Sequence, residues 1–303
     1  GWSGGRSSSG SWSNRDPDPS MPSPCAELYI YQLEGRLDSR TVIEAGAFLG
    51  HWQEDESAFL FFSAPMTAEV ERILRHQPHL RLIDSTCMAY DQWQGSVSGD
   101  ERIGRFRFIT PWAAAGTADS LAPDEIPIQM DPGLVFGAGT HPTTRDCLTA
   151  LELAAASGSI RTVMDLGTGT GILALAAARR LGARVLAVDL NFLAARTAAS
   201  NVRLNRLDDR IWVVQGRAED AIGGSADLVA ANLHGEVMLR IMDAPGFRRK
   251  RRLILSGLMR SDAKEVRRRL SLSGIRIREE WTRDGVWHTY YAENPAPLEP
   301  PAR

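Results

Sequence analysis

Between residues 160 and 260, short runs of consecutive apolar residues alternate with longer stretches whose apolar positions recur every three or four residues. RTVMDL (161–166), RVLAVDL (184–190), IWVVQG (211–216), ADLVAANL (226–233) and RRLILSGL (251–258) each read as a short buried strand. GILALAAARRLG (171–182), residues 192–205 and residues 235–243 read as the helices between them, with a helix over 143–156 ahead of the first strand and DAKEVRRRL (262–270) after the last. Such alternation marks a parallel sheet covered by helices on both faces. IRIREEW (275–281) and VWHTYYA (286–292) flank TRDG, and an Asp-Gly pair between two such runs signals a hairpin. The expected fold is α/β, with a mostly parallel Rossmann-like sheet ending in an antiparallel hairpin.

Ahead of this unit the rhythm changes. From 25 to 110, LYIYQL, residues 39–50, AFLFFS, TAEVERILRHQ and RIGRFRFI alternate strand-like with helix-like runs, which predicts a smaller amino-terminal α+β domain. In the last of these, Phe106 and Phe108 alternate with Arg105 and Arg107, the pattern of one strand with a buried and a solvated face. Residues 111–130 carry three prolines and little periodicity and read as a linker to a domain spanning 131–294. Residues 1–24 are rich in Ser, Gly and Pro and read as a disordered tail or a tag, 295–303 reads as a disordered tail, and Met21 is the expected natural start.

Charge narrows the partners. A formal net charge of −2 over 303 residues provides no global attraction to nucleic acid or an anionic membrane. The longest apolar run, ILALAAA at 172–178, is far short of the roughly 20 residues that span a bilayer. Cys25, Cys87 and Cys147 are widely spaced and odd in number, which fits reduced thiols and a cytoplasmic setting, and no metal site is expected. Lys250 and Lys264 are the only lysines and neither follows a glycine, so a GxxxxGK[ST] phosphate loop is absent.

The chemistry centres on the turn after the first strand of the large domain. RTVMDL runs into GTGTG (167–171) and then straight into a helix, where closely spaced glycines let a ligand approach the backbone and the helix's unpaired N–H groups. A dinucleotide loop, GxGxxG, would place glycine at position 172, which is Ile172. The pattern is instead DxGxGxG, with Asp165 ahead of Gly167, Gly169 and Gly171, and the next strand ends on Asp189, placed to accept hydrogen bonds from ribose hydroxyls. This pattern resembles that of S-adenosylmethionine-dependent class I methyltransferases.

Two other stretches belong to the same edge. DPGLVFGAGTHPTTRDCL (131–148) gathers Pro132, Gly133, Gly137, Gly139 and Pro142 into a loop able to fold over a ligand, with Leu134, Val135 and Phe136 as a lid or wall. Thr143 is placed to cap the following helix with Asp146 three residues on, Thr144 to face the cofactor, and His141 to play a structural part. Asn232 ends a strand at the carboxyl edge, where α/β proteins bind ligands; capping the next helix is its other reading. Glu219 and Asp220 lie in a loop at that edge, either bordering a nucleobase or simply solvated.

FGAGTHPTT (136–144), DLGTGTGILALAA (165–177), AVDL, ANL and ILSGL (254–258), in this order, resemble the ribosomal protein L11 methyltransferase family. The likeness is strong over about 130–292. It implies cofactor contacts by Thr144, Gly167, Asp189 and Asn232, with Asp165, Gly169 and Phe136 beside them. The sequence departs from the family pattern at Ala138, in NLH (232–234) and in FRRKRR (247–252). The implied activity is transfer of methyl groups from S-adenosylmethionine to lysine or amino-terminal amines of large-subunit ribosomal protein L11, with Asn232 orienting the amine and the amino-terminal domain recognising the protein. RRKRR reads as a solvated loop, with contact to ribosomal RNA as the minor alternative. A different protein or small-molecule acceptor, or a non-catalytic cofactor-binding protein, are the competing readings.

Overall fold

Four antiparallel strands open the described chain: β1 (Glu27–Glu34), β2 (Phe48–Glu54), β3 (Ser57–Phe62) and β4 (Arg81–Ala89), in the order β2-β3-β1-β4. The computed structural model describes residues 25–38, 41–54, 56–93, 100–111, 113, 121–135, 139 and 141–295. Helix α1 (Thr67–His76) lays Val70 and Ile73 against Tyr31, Leu33, Leu60 and Phe62 on one face of this sheet. On the other face Leu28, Ile30 and Phe61 meet Tyr90 of the short helix α2 (Tyr90–Trp93), together with Leu134 and Leu193 from beyond the first hundred residues.

The sequence pattern misses parts of this region. Residues 41–47, inside the helix-like stretch 39–50, carry no helix, and Phe48 already begins β2; positions 39 and 40 lie outside the described residues. RIGRFRFI is not one strand. It turns at Gly104, whose φ of +59° suits glycine, so that β5 (Asp100–Ile103) pairs with β6 (Phe106–Ile109). Of the two arginines expected on a solvated face, Arg105 is exposed, but Arg107 is covered and neutralised by Asp100 at 2.6 Å and Glu125 at 3.5 Å. Within the stretch read as a linker, β7 (Ile126–Gln129) pairs parallel with β6. Phe106, Phe108 and Ile128 of this small sheet pack into the core of the large sheet beside α4 (Ile172–Leu181).

The large sheet has seven strands in the order β10-β9-β8-β11-β12-β14-β13. These are β8 (Thr162–Leu166), β9 (Arg184–Asp189), β10 (Ile211–Gln215), β11 (Leu228–Asn232), β12 (Arg252–Leu258), β13 (Arg276–Arg283) and β14 (Trp287–Glu293). The first five pair in parallel, and β14 runs antiparallel to both β12 and β13. Asp284 and Gly285 both have positive φ, 52° and 64°, and Val286 N–H donates to Arg283 O at 2.9 Å, the turn expected of TRDG. Helices α3 (Pro142–Ala156), α4 and α5 (Phe192–Leu204) supply one core. The short helix α6 (Ala218–Ala221), α7 (Gly235–Asp243) and α8 (Arg260–Leu272) supply the other. Among the described residues no helix is long and apolar enough to cross a membrane.

Because β8 leads to β9 on one side while β11 pairs on its other side, the chain reverses direction of travel at β8. The crevice outside the carboxyl ends of β8 and β11 is therefore the place where an open α/β sheet accepts a ligand.

Candidate active site

Gly167, Gly169 and Gly171 all take positive φ, 73°, 56° and 86°, a conformation that only glycine adopts cheaply three times in five residues. Gly167 N–H and Thr168 N–H both donate to Val188 O, which binds the turn to the end of β9. Asp189 completes the link: its Oδ2 accepts from Gly169 N–H and its Oδ1 from Asn191 N–H, each at 2.9 Å. A carboxylate has about four acceptor sites, so two remain for ligand hydroxyls. Burial pushes the Asp189 carboxyl above its ordinary range, with the two N–H donors opposing.

Asp165 lies beneath the same turn and is 1% exposed. Its Oδ2 accepts from Thr168 Oγ1 at 2.6 Å and Ala174 N–H at 3.1 Å, while Oδ1 has no hydrogen-bond partner among the described residues. Desolvation raises this carboxyl to about 6; the two donors oppose the shift and nearby Asp189 adds to it.

Asn232 ends β11, one strand from the glycine turn, and its Nδ2 donates to Thr143 Oγ1 at 3.2 Å. A Cβ on Gly167 would collide with the side chain of Leu233, the residue after Asn232. On the other flank, a Cβ on Gly257 would lie 2.9 Å from Asn232 Oδ1 and 2.8 Å from Leu233 O. Gly167 of the turn and Gly257 of β12 thus let the Asn232–Leu233 segment pass close by on both sides. Asn232 does not cap α7; the residue preceding that helix is His234.

Helix α3 begins one residue earlier than expected, at Pro142, and His141 rather than Thr143 is its cap, accepting from Thr143 N–H through Nδ1. Proline suits this first position because its missing N–H would have no helical partner. His141 also stands edge-on to Trp287, with ring centroids 5.1 Å apart. Thr144 is buried in the same first turn, beside the Thr143 that holds Asn232. Asp146, expected to complete a capping box, instead pairs with Arg283 at 2.5 Å. Ahead of the helix, Gly139 lies over the start of α4: a Cβ there would be 3.2 Å from Ile172 Cδ1. Leu134 packs toward the amino-terminal sheet, and Phe136 lies outside the described residues.

Several contributors carry no motif. Asn201 of α5, fully buried, donates to both Asp131 O (2.8 Å) and Thr170 O (2.9 Å) and accepts from Asp131 N–H (2.8 Å), tying the loop to the glycine turn. One turn on, Asn205 makes the same two-way bond with Gln129. Two asparagines at i and i+4 on an otherwise ordinary helix were the available signal. Leu190, directly after Asp189, is 69% exposed, an apolar side chain standing free at the carboxyl edge. Glu219 sits in α6 rather than a loop and is engaged by Arg240 at 2.7 Å and Arg217 at 3.4 Å. The RRKRR run is likewise not a plain solvated loop: Lys250 is buried, and its Nζ donates to Gly224 O.

A seven-stranded sheet with its last pair antiparallel, a left-handed glycine turn after β8 and a carboxylate closing β9 make this a class I methyltransferase fold. The family model for ribosomal protein L11 methyltransferases (PrmA) matches residues 92–294, and the chain belongs to that family. It is 38% identical over 192 residues to the Anoxybacillus flavithermus ribosomal protein L11 methyltransferase, covering 62% of this chain and 59% of that protein. With the Desulfitobacterium hafniense ribosomal protein L11 methyltransferase it is 39% identical over 194 residues, covering 61% and 58%. The crystal structure of a ribosomal protein L11 methylase from Lactobacillus delbrueckii subsp. bulgaricus superposes with a TM-score of 0.54 at 25% identity, over 63% of this chain and 95% of that one. The chain spans between half and three-fifths of the length of the curated relatives it matches.

Proposed function

We propose that the chain is an S-adenosylmethionine-dependent protein methyltransferase acting on lysine or amino-terminal amines of ribosomal protein L11. The observation that carries this reading is the side chain of Asn232. With Nδ2 committed to Thr143, the amide oxygen is the group left to accept a hydrogen bond from an amine at the carboxyl edge.

The residues around it fit the methyl donor. Asp189 has acceptor capacity left for the two ribose hydroxyls, exposed Leu190 offers an apolar surface to the base, and the Gly167–Gly171 turn admits the rest of the molecule against the backbone. The unpartnered Oδ1 of Asp165 favours a donor group on the ligand or a bound water. Thr144 would close the site from the α3 side. When bound, the sulfonium supplies an already activated methyl group.

What remains for the protein is to bind, orient and keep water out. A lysine amine, with a reference pKa of about 10.4, must be neutral to attack, and a desolvated site favours the neutral form. Asn232 Oδ1 accepting one of its N–H groups would aim the nitrogen lone pair at the methyl carbon.

In this reading the chain works in the cytoplasm, residues 131–294 perform the transfer, and the four-stranded sheet of β1 to β4 within 25–110 chooses the protein; of the proposed tails, 1–24 and 295–303, all but Pro295 lie outside the described residues. The test is incubation with methyl-labelled S-adenosylmethionine and purified ribosomal protein L11 beside a bacterial extract, with mass spectrometry of the labelled species. Label on L11, reduced at least tenfold in Asn232→Ala while cofactor affinity holds, supports the reading. Label confined to other proteins, or none, overturns it.

A further inference from the structure

Opposite the active site, the amino-terminal edge of the seven-stranded sheet carries an arginine at or beside the start of most strands. Arg184 N–H donates to Arg161 O and Val185 N–H to Arg210 O, so Arg210, Arg184 and Arg161 mark three adjacent strands. Across the sheet, Asn294 N–H donates to Arg251 O, and Glu293 lies in register between Arg252 and Arg276. With about 4.8 Å between strands, the row from β10 to β13 is about 29 Å long.

Part of this charge serves the fold. The edge also receives the carboxyl ends of the helices, whose last carbonyls lack intrahelical partners. Arg210 donates to Gly182 O, Arg249 to Gly223 O, Arg252 to Ser157 O and Arg179 to Asn205 O.

The remainder is not used in this way. Arg161, Arg184, Arg248, Arg251 and Arg276 are exposed, and among the described residues no ion pair engages them. The carboxylates along the row are occupied or weakly placed. Asp227 accepts from the Arg161 and Thr162 backbone and from Thr162 Oγ1, Glu293 pairs with Arg278 at 2.8 Å, and Asp209 reaches Arg210 only at 3.9 Å. The opposite edge mixes signs instead: Asp189, Glu219, Asp220 and Asp262 lie there together with Arg217, Arg260 and Arg283, so the unpaired arginines are a feature of the amino-terminal edge.

We propose that this amino-terminal edge docks on the phosphate backbone of RNA. Unpaired arginines in a row suit phosphate oxygens, because a guanidinium presents a fork of donors and stays charged. The choice of RNA rests on the proposed activity, since a ribosomal protein is met among RNA; the row of unpaired arginines does not depend on it. Docking through the far edge leaves the Asn232 edge open to protein.

The test is fluorescence anisotropy of the full chain with a labelled RNA stem-loop, its DNA counterpart, and, by sedimentation, phosphatidylserine vesicles, between about 50 and 200 mM KCl. Wild-type protein is compared with two double variants, Arg161→Ser/Arg184→Ser and Arg251→Ser/Arg276→Ser. We expect RNA bound at least as tightly as DNA, no retention on vesicles, affinity falling more than about tenfold across the salt range, and each double variant weaker by about tenfold with a shallower salt slope. Salt-insensitive or absent RNA binding, unchanged affinity in both variants, preference for DNA, or vesicle binding would each overturn the proposal. Unchanged thermal unfolding of the variants keeps the comparison valid. Methyl transfer measured on free L11 judges the proposed activity separately, because none of the four arginines lies at that edge.

Discussion

The carboxylate of Asp146, in the second turn of α3, is 1% exposed and receives the guanidinium of Arg283 from the end of β13, with Nη2 2.5 Å and Nε 2.9 Å from Oδ1. This contact, 137 residues long in sequence, fastens the helix that carries Thr143 and Thr144 to the carboxyl-terminal hairpin. It raises the Arg283 guanidinium further above its ordinary value.

Removing Arg283 strands a buried carboxylate. Arg283→Ala should lower stability by about 3 kcal/mol, and adding Asp146→Ala should recover part of it, because the loss is mainly the uncompensated charge. Urea unfolding of the two single variants and the double variant reads this; losses that simply add would show that the pair is not coupled.

Asn201 satisfies two carbonyls and one N–H that come from segments remote from one another. Asn201→Ala leaves these groups buried and unpaired, at about 1–3 kcal/mol for a single such group, and frees the 129–133 loop from the glycine turn. Weaker binding of S-adenosylmethionine, read by calorimetry, should accompany the drop in melting temperature. A variant of wild-type stability and affinity would show that the clasp is idle.

Asp165 makes stability depend on pH. Its folded pKa of about 6 lies above the ordinary aspartate value of 3.8, so the folded state holds the proton more tightly. Stability from this group is greatest below about pH 4, declines as pH rises through 6 and is level beyond, a difference of about 3 kcal/mol. Asp165→Asn removes the titration. The gap between its unfolding free energy and that of wild type should therefore change between pH 4 and pH 7.5 in the sense that favours the variant at the higher pH, and parallel profiles would contradict this.

Gly257 combines a φ of +78° with backbone and side-chain oxygens within 3 Å of where a Cβ would go. Gly257→Ala should displace Asn232 and reduce methyl transfer more than tenfold, while the left-handed backbone costs about 1–2 kcal/mol of stability. Turnover within twofold of wild type, beside a normal melting curve, would mean that Asn232 tolerates displacement.

Legibility in the sequence followed the range of the interaction. The parallel strands of the large sheet and the Asp284–Gly285 turn were readable because each is specified by residues next to one another. The glycine turn was readable for the same reason: Gly167, Gly169 and Gly171 declare their backbone conformation whatever surrounds them. β4 was not read, since a strand exposed on most of its positions shows no alternation. RIGRFRFI was misread because Arg107 looks solvated until Asp100 and Glu125 are seen beside it.

The site divides in the same way. The order of apolar runs and the glycine spacing determined that a left-handed glycine turn would join β8 to α4, with Asp189 at the end of the neighbouring strand. Only the tertiary structure decided that His141 caps α3, that Asp146 serves Arg283, that Asn201 joins loop to turn, and that Gly257 backs Asn232. The His141 cap is local, but the other relationships join residues 25 to 137 positions apart, and nothing in local spacing encodes which distant donor will satisfy a buried acceptor. Burial sets that requirement, and the packing of the sheet and helices selects the partner.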